Sequence, residues 1–375
     1  MKFSDMLLRE DFWKILEDTL NANTHNLGIK GEVRVVENEA NCSLYANAKL
    51  NAIMSRNPSK AVRDYLKTEY TVGGSALHKT AVRCYLWAST HMVSRFAQKG
   101  LEVQFDESID VDDILIYPCN KKIRIFDFKH GMVHAVLKKD FPDIYFVRET
   151  DFRQKYHEDF VPQVLKTDKN YYSEKIINGR PLARIYDASF VEKCQNDAVS
   201  KLISLTNADN QVLVKDYIAS LKQTCMTQLK SKPTFMDSKT VENLFDWLSE
   251  VGDEEKLSLV VSHGDFQLGN IWYDDDNKKV VIIDWETVKI RSRFYDHAAL
   301  YYNLRRGGML QHAVDSLKAS SYIASFTPLC LPDSIAKVVL TEELAYQTEE
   351  LISFPGEIGV KEYDAFINQI KTIII

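Results

Sequence analysis

Apolar and polar positions alternate at two different rhythms along this chain. Near the start, Leu7, Phe12, Ile15, Leu16 and Leu20 follow helical spacing, the three-to-four-residue recurrence of an amphipathic helix. A longer helix is predicted from about Ser75 to Lys99. It carries Val82, Leu86, Val93 and Phe96, with Arg95 and Lys99 near its end and Gly100 as a stop signal. Residues 1–112 therefore read as mainly helical, and the acidic stretch Asp106–Asp113 reads as a linker.

The rhythm then drops to period two. Ile123–Phe128 alternates, turns at Lys129-His130-Gly131 and resumes over Met132–Leu137, which predicts a β-hairpin. A helix is expected over Asp143–Asp159, with Ile144, Val147, Phe152 and Tyr156 on one face. Strands are expected at Gln163–Leu165 and Tyr171–Ile177, with a turn at Asn178–Pro181. Ser189–Gly252 reads as three helical segments. Short strands follow at Leu257–Val261, Ile271–Tyr273 and Val280–Ile283, and the chain from Phe294 on reads as helices. The order predicts an α+β fold in three parts: a helical N-terminal extension (1–118), a small β-rich lobe (119–180) and a mainly helical lobe (181–375).

Composition narrows the function classes. The 375 residues are 45% hydrophobic, enough for a sizeable core, and the formal net charge of -6 gives no whole-chain basic footprint for nucleic acid. The first twenty residues mix charges with apolar residues, and no run reaches the ~18–20 apolar residues of a membrane span. Six scattered cysteines show no zinc spacing and no C-x-x-C pair. The expectation is a cytoplasmic protein with free thiols.

The chemistry concentrates in His263-Gly-Asp265-Phe-Gln-Leu-Gly-Asn270, followed by Val280-Val-Ile-Ile-Asp284-Trp-Glu286. Two carboxylates and an amide flank a hairpin of apolar strands, whose ends are expected to bring them together. Phosphoryl transfer uses such a set. One carboxylate accepts or orients the proton of an attacking hydroxyl, and oxygen ligands hold magnesium against the phosphates. Asp265 and Asn270 have the D-x-x-x-x-N spacing of a kinase catalytic loop. Asp265 is thus assigned as base or hydroxyl orienter, and Asn270 and Asp284 as magnesium ligands.

With these residues in place, the pairing of H-G-D-x-x-x-x-N with I-D-W-E resembles the aminoglycoside phosphotransferase and choline kinase-like family. The resemblance covers roughly residues 119–375. It implies a two-lobed protein-kinase-like fold, ATP and Mg2+ as cofactors, and a small-molecule acceptor with a hydroxyl group. It implies structural support from His263, and from Asp296 within Phe294–Ala298. Glu286 either orients the metal shell or lies outside it. Protein kinase activity is disfavoured, because Gly264 replaces the usual arginine and no A-P-E segment follows.

The resemblance also implies a small-lobe lysine that contacts phosphate and pairs with a helix glutamate. Lys138 or Lys139 is the candidate, with Glu149 as partner. Alternation lets only one of the lysines point inward, and another alignment puts Arg148 in that role. The backbone near Glu174–Ile176 is expected to meet adenine. No G-x-G-x-x-G is present over the hairpin. A catalytically weak binding or scaffold protein on the same fold is the alternative.

The acceptor side is less determined. Thr341–Glu350 is acidic, read either as a solvated helix face or as the lining of a pocket for a cation. The extension outside the resemblance is expected to cap the site, to form a homodimer or to bind a pathway component.

Overall fold

The computed structural model describes residues 3–37, 42–70, 76–92, 99–206, 210–232, 238–326, 329–354 and 358–374. The chain divides into two compact units, Met1–Tyr186 with Trp272–Val281, and Asp187–Ile271 with Ile282–Ile375. The α+β class holds: the first unit is built on a large sheet and the second is mainly helical.

Unit 1 departs from the helical extension expected over residues 1–118. Helices Phe3–Arg9, Phe12–Asn21, Thr24–Leu27, Lys60–Tyr70 and Ala76–His91 are present, but strands lie between them. These are β1 (Ile29–Glu37), β2 (Leu44–Asn47), β3 (Ala52–Ser55), β4 (Lys99–Phe105) and β5 (Ile114–Pro118). They continue into β6 (Lys122–Asp127), β7 (Met132–Leu137), β8 (Lys166–Asp168) and β9 (Tyr171–Lys175). All nine form one sheet in the order β1-β4-β2-β3-β5-β6-β7-β9-β8. The expected hairpin is β6–β7, paired from Lys122↔Leu137 to Asp127↔Met132.

Both faces of this sheet are covered, and period-two geometry assigns each residue to a side. Leu44, Ile53, Ile114, Ile116 and Ile125 pack with Phe3, Phe12, Leu16 and Leu20 of the first helices. Their neighbours Tyr45, Met54, Leu115 and Phe126 pack with Val62, Leu66 and Leu86 of Lys60–Tyr70 and Ala76–His91. β2, β3 and β5 are buried on both sides and so lack the apolar–polar alternation that marks a half-exposed strand, whereas β1 and β4 keep exposed positions.

The helix expected to reach Lys99 ends at His91, and Val93 and Phe96 lie outside the described residues. Gly100 belongs to β4. A Cβ there would sit 2.6 Å from the Leu44 carbonyl and from Cys42 Sγ, so the glycine serves close strand approach rather than a helix stop. The helix Ile144–Lys155 also turns differently from the expectation. Ile144 and Val147 are exposed, whereas Tyr145, Phe146, Glu149, Phe152 and Arg153 are buried. A three-stranded sheet of β10 (Gly179–Pro181), β13 (Ile271–Asp274) and β14 (Lys279–Ile282) completes unit 1.

In unit 2, β11 (Asn210–Leu213), β12 (Lys256–Ser262) and β15 (Lys289–Ser292) form a second three-stranded sheet. The expected three helical segments are Ala188–Ser204, Val214–Lys230 and Ser238–Leu248. Asp187 caps the first of them, accepting from the Phe190 N–H. The core joins Val214, Phe245, Tyr295, Leu317, Val338 and Leu344, with Ile370 from the closing helix Ile358–Ile374. All six cysteines are free thiols. No helix among the described residues is long and apolar enough to cross a membrane.

Candidate active site

β12 delivers the chain into the loop His263–Asn270, and β13–β14 returns it at Ile283-Asp284. Hydrogen bonds at Ile283 join the two segments. Its N–H donates to the Asn270 carbonyl at 2.9 Å, and its carbonyl lies 2.9 Å from His263 Nε2. The residue immediately before Asp284 is therefore clamped to both ends of the 263–270 loop. Asp284 itself has φ +66 and ψ +55, a left-handed conformation uncommon for any residue but glycine and costly unless the surroundings impose it. It opens the 3-10 turn Trp285–Thr287, whose indole donates to the Ile282 carbonyl at 2.7 Å.

Asp265 and Asn270 touch. Asn270 Nδ2 donates to the Asp265 carbonyl at 2.8 Å and to its Oδ2 at 2.9 Å. That orientation leaves Oδ1 as the acceptor end of the amide, the kind of oxygen that magnesium takes. Gln267 Nε2 donates to Asp265 Oδ1 at 3.0 Å, so both carboxylate oxygens are oriented.

The main chain of the loop is held from beneath. Asp296, buried in helix Arg293–Tyr301, accepts the His263 N–H at 2.8 Å and the Gly264 N–H at 2.9 Å, one on each oxygen. Thr287 Oγ1 donates to the His263 carbonyl at 2.9 Å, and Arg305 Nη1 donates to the Gly264 carbonyl at 2.7 Å. Gly264 has φ +84, and a Cβ there would meet Arg291 Nη1 and the Thr287 carbonyl, each at 2.6 Å. Only glycine satisfies both the angle and the space.

His263 is fully buried. The Asp265 N–H donates to its Nδ1 at 3.3 Å. The proton therefore sits on Nε2, which donates to Ile283. This network makes His263 a fixed strut between the two segments, with neither nitrogen turned toward an exchanging partner.

Sequence reasoning missed Arg305. It is half-buried, stacks over the Tyr346 ring at 3.5 Å and lies 3.7 Å from Glu343. Asp265 acts electrostatically on both Arg305 and Tyr346. Arg305-Arg306 are adjacent in the chain, and nothing in their spacing says which one turns inward.

In the acidic helix Pro332–Ser353, three of the four glutamates of the expected acidic run turn inward. Glu342, Glu343 and Glu349 are each no more than 3% exposed, so they are not a solvated face. Glu342 accepts from Ser292 Oγ at 2.7 Å and from the Tyr217 hydroxyl at 2.8 Å. Burial raises the Glu342 carboxyl to about 7, against the pull of those donors. Glu343 accepts from the Tyr295 hydroxyl at 2.6 Å, and Glu349 pairs with Lys289. Internal partners thus meet three of the four carboxylates of this run, and Glu350 is half-buried.

In unit 1, Glu149 is buried, but its lysine partner is neither of those expected. Lys122 Nζ meets Glu149 Oε2 at 2.7 Å. Arg153 Nη1 and the Tyr172 hydroxyl meet Oε1, both at 3.2 Å. Arg153 also pairs with Glu174, so that side chain is a structural anion in this network. Lys138 is buried against the first helices, 2.5 Å from Glu10 and 3.0 Å from the Asn120 carbonyl. Lys139 is exposed at the strand end, with its N–H on Thr19. Arg148 packs over the Tyr145 ring. The Ile176 N–H, expected near adenine, donates to the Gly131 carbonyl at 2.9 Å. Lys122 opens the first strand of the hairpin rather than following the second, outside the place where a lysine was sought.

Residues 206–316 match the model of the phosphotransferase enzyme family. The matched segment contains Asp265, Asn270, Asp284, Asp296 and Arg305, and over it the resemblance read from the motifs is shown. No curated protein matches the chain. Among solved structures, the chain is similar to a streptomycin–ATP–APH(2")-IIa ternary complex, at 11% identity over 72% of this chain and 95% of that one, with a TM-score of 0.47. It is similar to an ethanolamine kinase from Plasmodium vivax, at 12% identity over 84% and 93%, TM-score 0.44. A choline kinase from Cryptosporidium parvum Iowa II gives 13% identity over 72% and 91%, TM-score 0.42.

Proposed function

We propose that this chain is a small-molecule phosphotransferase that moves the γ-phosphoryl group of ATP to a hydroxyl of its acceptor, with magnesium. The observation that carries the reading is the joined pair of segments. Asp265 and Asn270 are in direct contact, and Ile283 ties Asp284 to the same loop.

The donor set fits magnesium, because an amide oxygen and a carboxylate are the hard ligands that ion prefers. Asn270 Oδ1 and the Asp284 carboxylate would hold it, and it would supply charge neutralisation at the phosphate oxygens. Asp265 accepts or orients the proton of the attacking hydroxyl. Gln267 and Asn270 fix the direction of its two oxygens, so little reorganisation is needed at the moment of transfer. Arg305 holds the Gly264 carbonyl and moderates the local negative charge. In unit 1, Lys122 takes the phosphate-contacting role in place of Lys138 or Lys139, because it is the lysine paired with Glu149.

The acceptor need not be cationic. Glu342, Glu343 and Glu349 are already partnered, which puts a neutral polyol or sugar on an equal footing with an amino alcohol. The test is a screen of hydroxyl acceptors with γ-labelled ATP and Mg2+. Wild type should transfer label to at least one acceptor, and Asp265→Ala should lose about a thousand-fold or more of that rate. Equal transfer by Asp265→Ala would remove Asp265 from the chemistry.

A further inference from the structure

Unit 2 contains a cavity of about 280 Å³ that the phosphotransfer reading does not use. It lies between helix Ala188–Ser204, strand β12 and helix Arg293–Tyr301. Its walls are apolar, with Leu202, Val261, Phe266 and Leu300 among them. Its rim is open to solvent, since Ile203 is 54% exposed and Tyr301 and Tyr322 are each 40% exposed.

One lining group stands apart. Arg293 makes no hydrogen bond or ion pair among the described residues, and its Nε is buried without a partner. Its guanidinium packs on the Phe326 ring at 5.0 Å, which restrains it without satisfying its donors. A partly buried guanidinium lacking an anion is a costly arrangement, and the planar fork suits a carboxylate.

Three other polar lining groups are accounted for. Both Asp296 oxygens accept backbone N–H groups from the 263–264 loop. Thr206 Oγ1 accepts the Val261 N–H at 3.0 Å. His297 stacks on Tyr322 at 4.4 Å, and burial lowers it to about 4, so it is neutral near pH 7. Arg293 is therefore the cation of this cavity near neutral pH.

We infer that this cavity is a second ligand site, for a small amphipathic carboxylate. The acyl or aryl body would lie among Leu202, Val261, Phe266 and Leu300, and the carboxylate would pair with Arg293. Phe266 follows Asp265 in the chain, and Asp296 carries the loop that contains it. An occupant therefore touches the floor of the candidate active site without entering it.

The site can be tested by calorimetry on the full chain with octanoate, octanol and octylammonium as probes, at matched ionic strength. Octanoate should bind at least about ten-fold more tightly than octanol, and octylammonium should bind most weakly. Arg293→Met should reduce octanoate to the level of octanol, while Arg293→Lys should keep part of the preference. Ile203→Trp, at the rim, should weaken all three probes. Absence of octanoate binding to wild type would overturn the inference, as would equal affinity for octanoate and octanol. A preference that survives Arg293→Met would do the same. None of these readouts needs phosphotransfer, so failure here and failure of the proposed activity are separate results.

Discussion

Two buried arrangements, one in each unit, hold charge in different ways. In unit 1, Lys122, Glu149, Arg153 and Glu174 form a chain of side-chain ion pairs projecting from regular strands and a helix. In unit 2, Asp296 pairs with no cation among the described residues; its two oxygens accept from two consecutive main-chain N–H groups of a loop. The first arrangement fixes side chains relative to one another. The second fixes a backbone that no regular element could fix, and so sets where Asp265 points. Removing Arg153 should therefore act mainly on stability, and removing Asp296 mainly on chemistry.

The strongest break in that comparison is Asp296→Ala. It leaves two buried N–H donors unmade, at about 1–3 kcal/mol each, and frees the loop. Phosphotransfer is expected to fall at least about a hundred-fold, measured at saturating ATP, while the chain remains folded by circular dichroism. Next is Arg153→Met, which strips the shared partner from Glu149 and Glu174. Breaking such a buried pair costs about 3–5 kcal/mol, readable as a lowered midpoint in urea unfolding. A smaller stability effect is expected for Lys122→Met, because Arg153 and Tyr172 still face Glu149. Its larger signature should be in ATP affinity, weakened about ten-fold.

The mildest probe is pH. Burial raises the folded Glu342 carboxyl to about 7, above its ordinary value of 4.5. The folded state thus binds the proton more tightly than the unfolded chain does. That contribution is fully present below about pH 4.5 and is lost as pH rises through 7. Each ten-fold difference in proton affinity between the two states is worth about 1.4 kcal/mol, so a rise from 4.5 to about 7 makes the loss on the order of 3 kcal/mol. Thermal melts should show this decline in wild type, and Glu342→Gln should flatten it. An unchanged slope in the variant would assign the decline to other groups.

The site in unit 2 was legible because its residues are adjacent in sequence and end on two short apolar strands. The spacing of Asp265 and Asn270 needs no knowledge of tertiary contacts. Asp296 was found by its position in a segment of the same family. The Lys122–Glu149 pair was hidden for the opposite reason. Lys121-Lys122 and Lys138-Lys139 are equivalent doublets at the outer ends of one hairpin, and β6–β7 register places Lys122 opposite Leu137. Which doublet faces Glu149 depends on how the helix Ile144–Lys155 rotates. Its burial follows Tyr145, Phe146, Glu149 and Phe152 rather than the Ile144–Val147 face that periodicity suggested. Among the strands of the first 118 residues, β2, β3 and β5 were hidden by double burial; β1 and β4 keep exposed positions and are not explained that way. The inward turn of Glu342, Glu343 and Glu349 was hidden because a buried acidic residue looks like a solvated one until its partners are known.

The central claim is that Asn270 and Asp284 hold the magnesium that accompanies ATP. Calorimetric titration of ATP into wild type and Asp284→Asn, each with and without Mg2+, tests it most directly. Magnesium should strengthen ATP binding to wild type, and Asp284→Asn should lose that increment while keeping its fold. An equal magnesium increment in both proteins, or no ATP binding to wild type under either condition, would contradict it.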